Sequence, residues 1–187
     1  MLRIAAEKDI SAMLAIYRPY VLTSTATFEY EPPNEAEFLR RFREFTVQFP
    51  WLVWEESGQI LGYAYASAPY PRAANSWCAE PTVYLVPQAR GRGIGKALYR
   101  ALEAILTAQG YYVLYALICD ENSSSLHFHE KLGYHPAAHF PDCAFKFGRW
   151  CGLYWMEKRL KTVDIPNTIP SPWRTVMQSV QYSYNIL

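Results

Sequence analysis

The sequence predicts a single α/β domain, one mixed sheet flanked by helices, and three observations predict it. Hydrophobic residues make up 51% and aromatic residues 16% of 187 positions, enough for one well-buried core in a chain too short for two comfortable ones. Ile94, Ala97, Leu98, Ala101, Leu102, Ile105 and Leu106 recur at i, i+3, i+4 and i+7, the spacing of an amphipathic helix with one buried face. Val113 to Cys119 then run apolar without interruption, as a central strand covered on both faces does.

The elements follow in order. Leu2 to Ala5 form a short first strand. Asp9 stands where it can cap a helix whose apolar face is Ile10, Met13, Leu14 and Tyr17. A hydroxyl-rich loop, Thr23 to Thr27, ends in Phe28-Glu29-Tyr30. Pro32-Pro33 introduces a second helix with Phe38, Leu39, Phe42 and Phe45 inward. Trp51 to Glu55 and Ile60 to Ser67, separated by Ser57-Gly58, form a hairpin. Ala68 to Ser76 is a proline-interrupted loop, and Trp77 to Leu85 is the next strand. Gln109-Gly110 closes the long helix. Asn122 and serines 123 to 125 open a short helix that ends at Leu132, before Gly133. Two late strands lie around Cys143 to Phe147 and Leu153 to Lys158. The order is β-α-α-β-β-β-α-β-α-β-β. Residues 1–161 form the domain. Residues 162–187, with Pro166, Pro170, Pro172 and little periodicity, form a tail that either drapes over the body or is partly disordered.

Composition narrows the function. A net charge of +1 argues against a dedicated nucleic-acid binder. The longest apolar run, Tyr111 to Cys119, is far below a bilayer span, and the first residues carry no signal-peptide pattern, so a cytoplasmic protein with no membrane partner is expected. Cys78, Cys119, Cys143 and Cys151 lack CxxC spacing and fit a reducing compartment without a disulfide framework. His127 and His129, two apart on a helix, face different ways, and no metal is expected.

The run Arg90-Gly91-Arg92-Gly93-Ile94-Gly95 lies between a strand and the clean helix. The first N–H groups of a helix have no intrahelical acceptors and carry the positive end of its dipole. Glycines let an anion approach that backbone, and arginines add charge-assisted contacts. The loop is therefore a cradle for a diphosphate, the alternative being a surface turn that happens to be glycine-rich. Its G-x-G-x-G spacing matches neither the dinucleotide fingerprint nor the P-loop.

Arg90-x-x-Gly93-x-Gly95 resembles the acyl-CoA motif of the GNAT N-acetyltransferase superfamily, and Asn122 to Tyr134 resembles that superfamily's second cofactor segment. "TSTATFEYEP", "AEPTVYL", "HEKLGYHP" and "FKFGRW" together resemble its phosphinothricin and methionine sulfoximine acetyltransferase branch, from about Leu2 to about Leu160. The resemblance implies a mostly antiparallel, twisted sheet with helices on both faces, acetyl-CoA as cosubstrate and a homodimer. It implies backbone of Thr82, Val83 and Tyr84 on the pantetheine arm, Arg90, Gly91, Arg92, Gly93, Ile94 and Gly95 on the phosphates, and Asn122 and Lys131 on coenzyme A. The acceptor is a small-molecule amine, the α-amine of an amino acid or analogue, with Phe28, Glu29, Arg72, Ala73 and Ala74 around it.

Glu80 matches the branch's general base, since an amine must lose a proton to attack a thioester; beside Ala79, Pro81 and Trp77 its pKa is expected to rise. The competing reading is a strand-end glutamate paired with an arginine. His129 stands where many relatives carry a tyrosine that protonates the leaving thiolate; a pKa near neutrality suits it either to that task or to a coenzyme A contact, and a satisfied, half-buried histidine is the alternative. Arg72 can fork a carboxylate or be a solvated loop arginine, and Phe28 lines either the pocket or the core. Tyr63, Tyr65 and Trp150 are read as core. Relatives carry Ser or His where Pro81 stands; a proline belongs at a strand edge or bulge, and a bulge here would free amides for the cofactor. Two other functions stay open: a related enzyme acting on another primary amine, and an acyl-CoA sensor without turnover.

Overall fold

A computed structural model describes residues 1–187 except Pro71, Val163, Asp164 and Asn167; the first lies in the proline-interrupted loop and the rest in the tail, so those parts of both expectations fall outside the described residues. The chain alternates β1 (Leu2–Ile4), α1 (Ile10–Thr23), α2 (Glu35–Phe45), β2 (Trp51–Glu56), β3 (Gln59–Ser67), β4 (Cys78–Leu85), α3 (Ile94–Gln109), β5 (Val113–Cys119), α4 (Ser123–Lys131), β6 (His135–Lys146), β7 (Arg149–Arg159) and α5 (Trp173–Tyr184). One seven-stranded sheet has the order β1-β2-β3-β4-β5-β7-β6. Every pairing is antiparallel except β4 with β5.

The sheet is covered on both faces. On one side α1 and α2 bury Met13, Tyr17, Val21, Phe38 and Phe42 against Trp51, Val53, Tyr63 and Tyr84. On the other, α3 sets Leu98, Leu102, Ile105 and Leu106, all 0% exposed, against Leu52, Ala64, Leu114 and Met156. Full burial of one such aliphatic chain is worth about 1.5–3 kcal/mol, so this stripe fixes α3 on the sheet.

Two local expectations, the Asp9 cap and the length of the late strands, are corrected, and two more are sharpened. Asp9 makes no side-chain cap; its carboxylate takes both Arg3 Nη groups (2.7 and 2.8 Å) and the Ala6 N–H (2.8 Å) instead. The residue that caps α2 after Pro32-Pro33 is Asn34, which accepts from Glu37 N–H at 2.9 Å. The two late strands are longer than expected, because β6 tolerates Pro136 and Pro141 as an edge strand with register shifts beside them. The tail carries a docked helix. Trp173, Val176, Met177 and Val180 of α5 pack into the α3-side core, and Trp173 Nε1 donates to the Thr46 carbonyl at 2.9 Å. Leu187 then exchanges two backbone hydrogen bonds of 3.2 Å with the free edge of β1.

Candidate active site

The decisive feature is where β4 and β5 part. They pair only at Cys78–Val113 and Ala79–Leu114; beyond that a cleft of about 1540 Å³ opens, walled by Pro81 to Leu85 of β4, Ala116 to Cys119 of β5, the start of α3 and one side of α4. N–H and C=O of one strand residue point to the same edge and alternate along the strand. Leu85 turns both groups to the Tyr20 hydroxyl (2.6 and 3.2 Å) and Pro81 turns its carbonyl to the Tyr99 hydroxyl (2.8 Å). Val83, between them, therefore presents both its groups to the gap, while Thr82 and Tyr84 present theirs to β3. Pro81 makes no bulge: β3 and β4 stay in register through Ala66–Pro81. The proline is tolerated because its missing N–H faces an edge where the ladder to β5 has already ended.

The glycines divide into two kinds. Gly91 and Gly93 have φ of +74° and +81°, and a Cβ at either would meet nothing, so they are needed for backbone conformation. Gly95 is needed for space: a Cβ there would lie 3.3 Å from Leu85 Cδ1 and 3.6 Å from the Phe128 ring. Gly93 is the N-cap of α3 without any side-chain cap, and the first intrahelical bond runs from Ala97 N–H to Gly93 O. The N–H groups of Ile94, Gly95 and Lys96 have no intrahelical acceptor, which is what a diphosphate needs. Arg90 reaches the cleft wall, held by the Tyr20 hydroxyl at 3.1 Å. Arg92 points elsewhere, to Glu56 on the β2–β3 hairpin at 2.8 Å. Ile94 is buried and offers only its amide. Asn122 and Lys131 both line the cleft; the Asn122 side-chain oxygen caps α4 through Ser125 N–H at 3.2 Å.

Glu80 is the first β4 residue past the last pair with β5, one residue short of the cleft wall. Burial alone pushes its carboxyl up to about 7, so the arginine-paired reading is not met. His129 departs from expectation: it is 4% exposed, and burial pushes it down to about 4, well below neutrality. Its Nδ1–H donates to the Ser125 carbonyl at 2.8 Å, leaving Nε2 as an acceptor 2.8 Å from the Tyr99 hydroxyl. That hydroxyl has one hydrogen for two acceptors, His129 Nε2 and the Pro81 carbonyl.

Of the residues expected around the acceptor, Phe28 and Glu29 follow α1, are half-buried and do not line the cleft. Glu29 Oε1 takes Arg41 at 2.5 Å, while its Oε2 is buried without a partner, as is the Tyr63 hydroxyl. Buried oxygens of this kind call for a water, an ion or a ligand as partner. Arg72, Ala73 and Ala74 are exposed on a short turn before β4, and Arg72 makes no ion pair among the described residues. Tyr63 is core, as expected, whereas Trp150 is 61% exposed at the β6–β7 turn, a correction. Sequence reasoning missed three residues. Tyr20 and Tyr99 are long-range partners of β4; a tyrosine inside the otherwise aliphatic stripe of α3 was a signal for the second. Lys146 is 2% exposed and donates to the Ser24 and Thr27 carbonyls at 2.8 and 2.7 Å, pinning the α1–α2 loop to the β6–β7 hairpin. No local pattern announced it.

A strand pair that splays beside an uncapped, glycine-led helix is a cleft in which an anionic cofactor can dock. Residues 2–155 match the acetyltransferase (GNAT) domain model, and the chain belongs to that family: it is an acetyltransferase with acetyl-CoA as cosubstrate. It is 36% identical over 170 residues to the phosphinothricin N-acetyltransferase of Alcaligenes faecalis, covering 90% of this chain and 85% of the relative. It is 33% identical over 164 residues to the L-methionine sulfoximine/L-methionine sulfone acetyltransferase of Pseudomonas aeruginosa, covering 85% and 94%. A GNAT phosphinothricin acetyltransferase from Sinorhizobium meliloti, solved with acetyl-CoA, superposes with a TM-score of 0.84 at 37% identity over 90% of this chain and 97% of that one. Among the described residues no helix is long and apolar enough to cross a membrane.

Proposed function

We propose that this enzyme acetylates the α-amine of a small amino acid or close analogue, of the phosphinothricin, methionine sulfoximine or methionine sulfone type, by direct attack on acetyl-CoA. One observation carries the reading: a carboxyl brought to about 7 by burial stands where β4 and β5 separate. A base with its pKa near operating pH is half-ready to take a proton without holding it too tightly.

In this scheme the free amides of Ile94, Gly95 and Lys96, with Arg90, hold the diphosphate, and Asn122 and Lys131 flank the arm. The Val83 edge extends β4 by pairing with pantetheine amides. Arg92, engaged with Glu56, contributes charge at longer range. Glu80 takes the amine proton, directly or through one water. The nitrogen bonds to the thioester carbonyl carbon, the C–S bond breaks, and the sulfur leaves as a thiolate that is protonated from solvent. His129, neutral above pH about 4, acts through Tyr99: its Nε2 is one of the two acceptors that hold that hydroxyl at the cleft wall. Glu29, through its unpaired oxygen, receives the amine side of the acceptor, and Arg72 with the Ala73-Ala74 turn receives the carboxylate. The protein works in the cytoplasm as a homodimer, and the tail after residue 161 supports the domain without touching substrate.

A thiol-release assay with acetyl-CoA against phosphinothricin, methionine sulfoximine, methionine sulfone, the natural amino acids and a polyamine tests this. Turnover is expected with at least one α-amino acid analogue and not with the polyamine. Preference for the polyamine would overturn the acceptor class, and acetyl-CoA binding without thiol release from any amine would turn the protein into a sensor.

A further inference from the structure

The two thiols that look unrelated in sequence meet in the fold. Cys119 ends β5 and Cys151 begins β7, and the register Cys119–Leu153 sets them diagonally across the pair. Both are buried, at 3% and 2% exposure, and neither is in a disulfide. One ligand atom from each, together with a Glu121 carboxylate oxygen, all lie within 4.8 Å of one another. Cys119 and Glu121 also line the acetyl-CoA cleft.

We propose that Cys119, Cys151 and Glu121 form a binding site for a soft divalent cation of the zinc class, and that its occupation obstructs the cofactor cleft. Ligand atoms within 4.8 Å of one another are close enough to share one metal ion. Two Zn–S bonds of about 2.3 Å bridge sulfurs some 3.8 Å apart in a tetrahedron and about 4.6 Å at full stretch, whereas an S–S bond demands about 2.05 Å. Small χ1 rotations close the first gap. Thiolate pairs select zinc-class ions over hard magnesium or calcium, and a carboxylate oxygen at about 2.0–2.2 Å completes a three-ligand set with one position left for water or a thiol.

The surroundings hold the ligands still. Asp120, between two of them, accepts from Gly152 N–H at 3.1 Å and lies 3.8 Å from the Cys119 sulfur. A Cβ at Gly152 would meet Asp120 Oδ2 at 2.3 Å, so the Asp120 carboxylate occupies the space that the glycine leaves open. Glu121 is held by Arg149 at 2.8 and 2.7 Å and touches Thr25 at 3.5 Å. A carboxylate has lone pairs for both a guanidinium and a metal. Lys146 and Arg149 put positive charge near the thiols, which keeps affinity below that of a closed structural zinc site and makes occupation reversible. On binding, each thiol gives its proton to solvent and no electrons move. Because Cys119 and Glu121 line the cleft, bound cation and cofactor compete for the same wall.

Cadmium titration without acetyl-CoA or amine tests the site independently of the acceptor chemistry. One equivalent is expected to bind full-length protein with the ultraviolet sulfur-to-cadmium charge-transfer band. Cys151→Ser, off the cleft wall, is expected to lose the band and bind about tenfold or more weakly, with a thermal transition showing it folded. Cys143→Ser, at an exposed position, is expected to change neither. Zinc should raise the apparent KM for acetyl-CoA in the parent and not in Cys151→Ser. Cadmium binding that survives Cys151→Ser, or that vanishes in Cys143→Ser, overturns the site. Zinc binding that leaves KM unmoved overturns the competition.

Discussion

The two sides of the proposed site are built by different means. The cofactor wall is mostly backbone: the Val83 edge, the amides of Ile94 to Lys96, and glycines at 91 and 93 in the left-handed region. The proposed acceptor side lies just outside the residues that line the cleft and rests on contacts that meet across the sequence: Glu29 with Arg41, Lys146 with the Ser24 and Thr27 carbonyls, and the Tyr30 hydroxyl with the Phe145 carbonyl. A ligand shared by a whole family can be read by backbone, which barely depends on side-chain identity. An acceptor that varies must be read by side chains, and these need pins to hold them.

Four substitutions break or sharpen that contrast, taken from the largest effect on turnover to the smallest. Glu80→Gln sits where the walls meet and should lower kcat about 100-fold or more. In the parent kcat/KM should rise with pH through about 7, since the base works only when deprotonated; the variant loses this limb, while His129→Gln keeps it. The same shift has a stability sign. The folded carboxyl titrates at about 7 against 4.5 for the ordinary group, so the folded state holds an extra proton between those values. Stability is full below 4.5 and falls as pH rises through 7, and Glu80→Gln should therefore melt higher than the parent at pH 8.

Gly93→Ala forces φ of +81° on a residue with a Cβ. At roughly 1–2 kcal/mol of strain, the affinity for acetyl-CoA should drop about tenfold, with the acceptor KM unmoved. Lys146→Met should do the reverse. It unties the α1–α2 loop and leaves two carbonyls without their donor, raising the acceptor KM several-fold while acetyl-CoA affinity, measured by calorimetry, stays put; Lys146→Arg should restore part of it. A change in both constants together would mean that the walls are not separate. Trp173→Ala removes the anchor of α5 and should lower stability by about 3–5 kcal/mol, read by chemical denaturation, with kcat and both KM values unchanged.

What could be read in advance follows the same division. The three alternate glycines, the clean stripe of α3 and the continuous apolar run of β5 are local patterns, and each element stands where its pattern put it. The stripe of α5 was equally local, Trp173, Val176, Met177 and Val180 after Pro172, but three prolines hid it. Glu80 was legible as a carboxylate among apolar neighbours, and burial did raise it. His129 was legible as a position and not as an ionisation state, because its Tyr99 and Ser125 partners and its depth depend on how α3 and α4 pack.

By itself the sequence determined the order of elements, the family and the glycine-led start of α3, because helix periodicity, strand runs and glycine φ are decided by neighbours a few residues away. Only the tertiary structure decided that β4 and β5 separate after Ala79, that Val83 faces the gap, that Lys146 locks the α1–α2 loop and that Cys119 meets Cys151. Those outcomes depend on strand register and packing across tens of residues, where no local pattern distinguishes one partner from another.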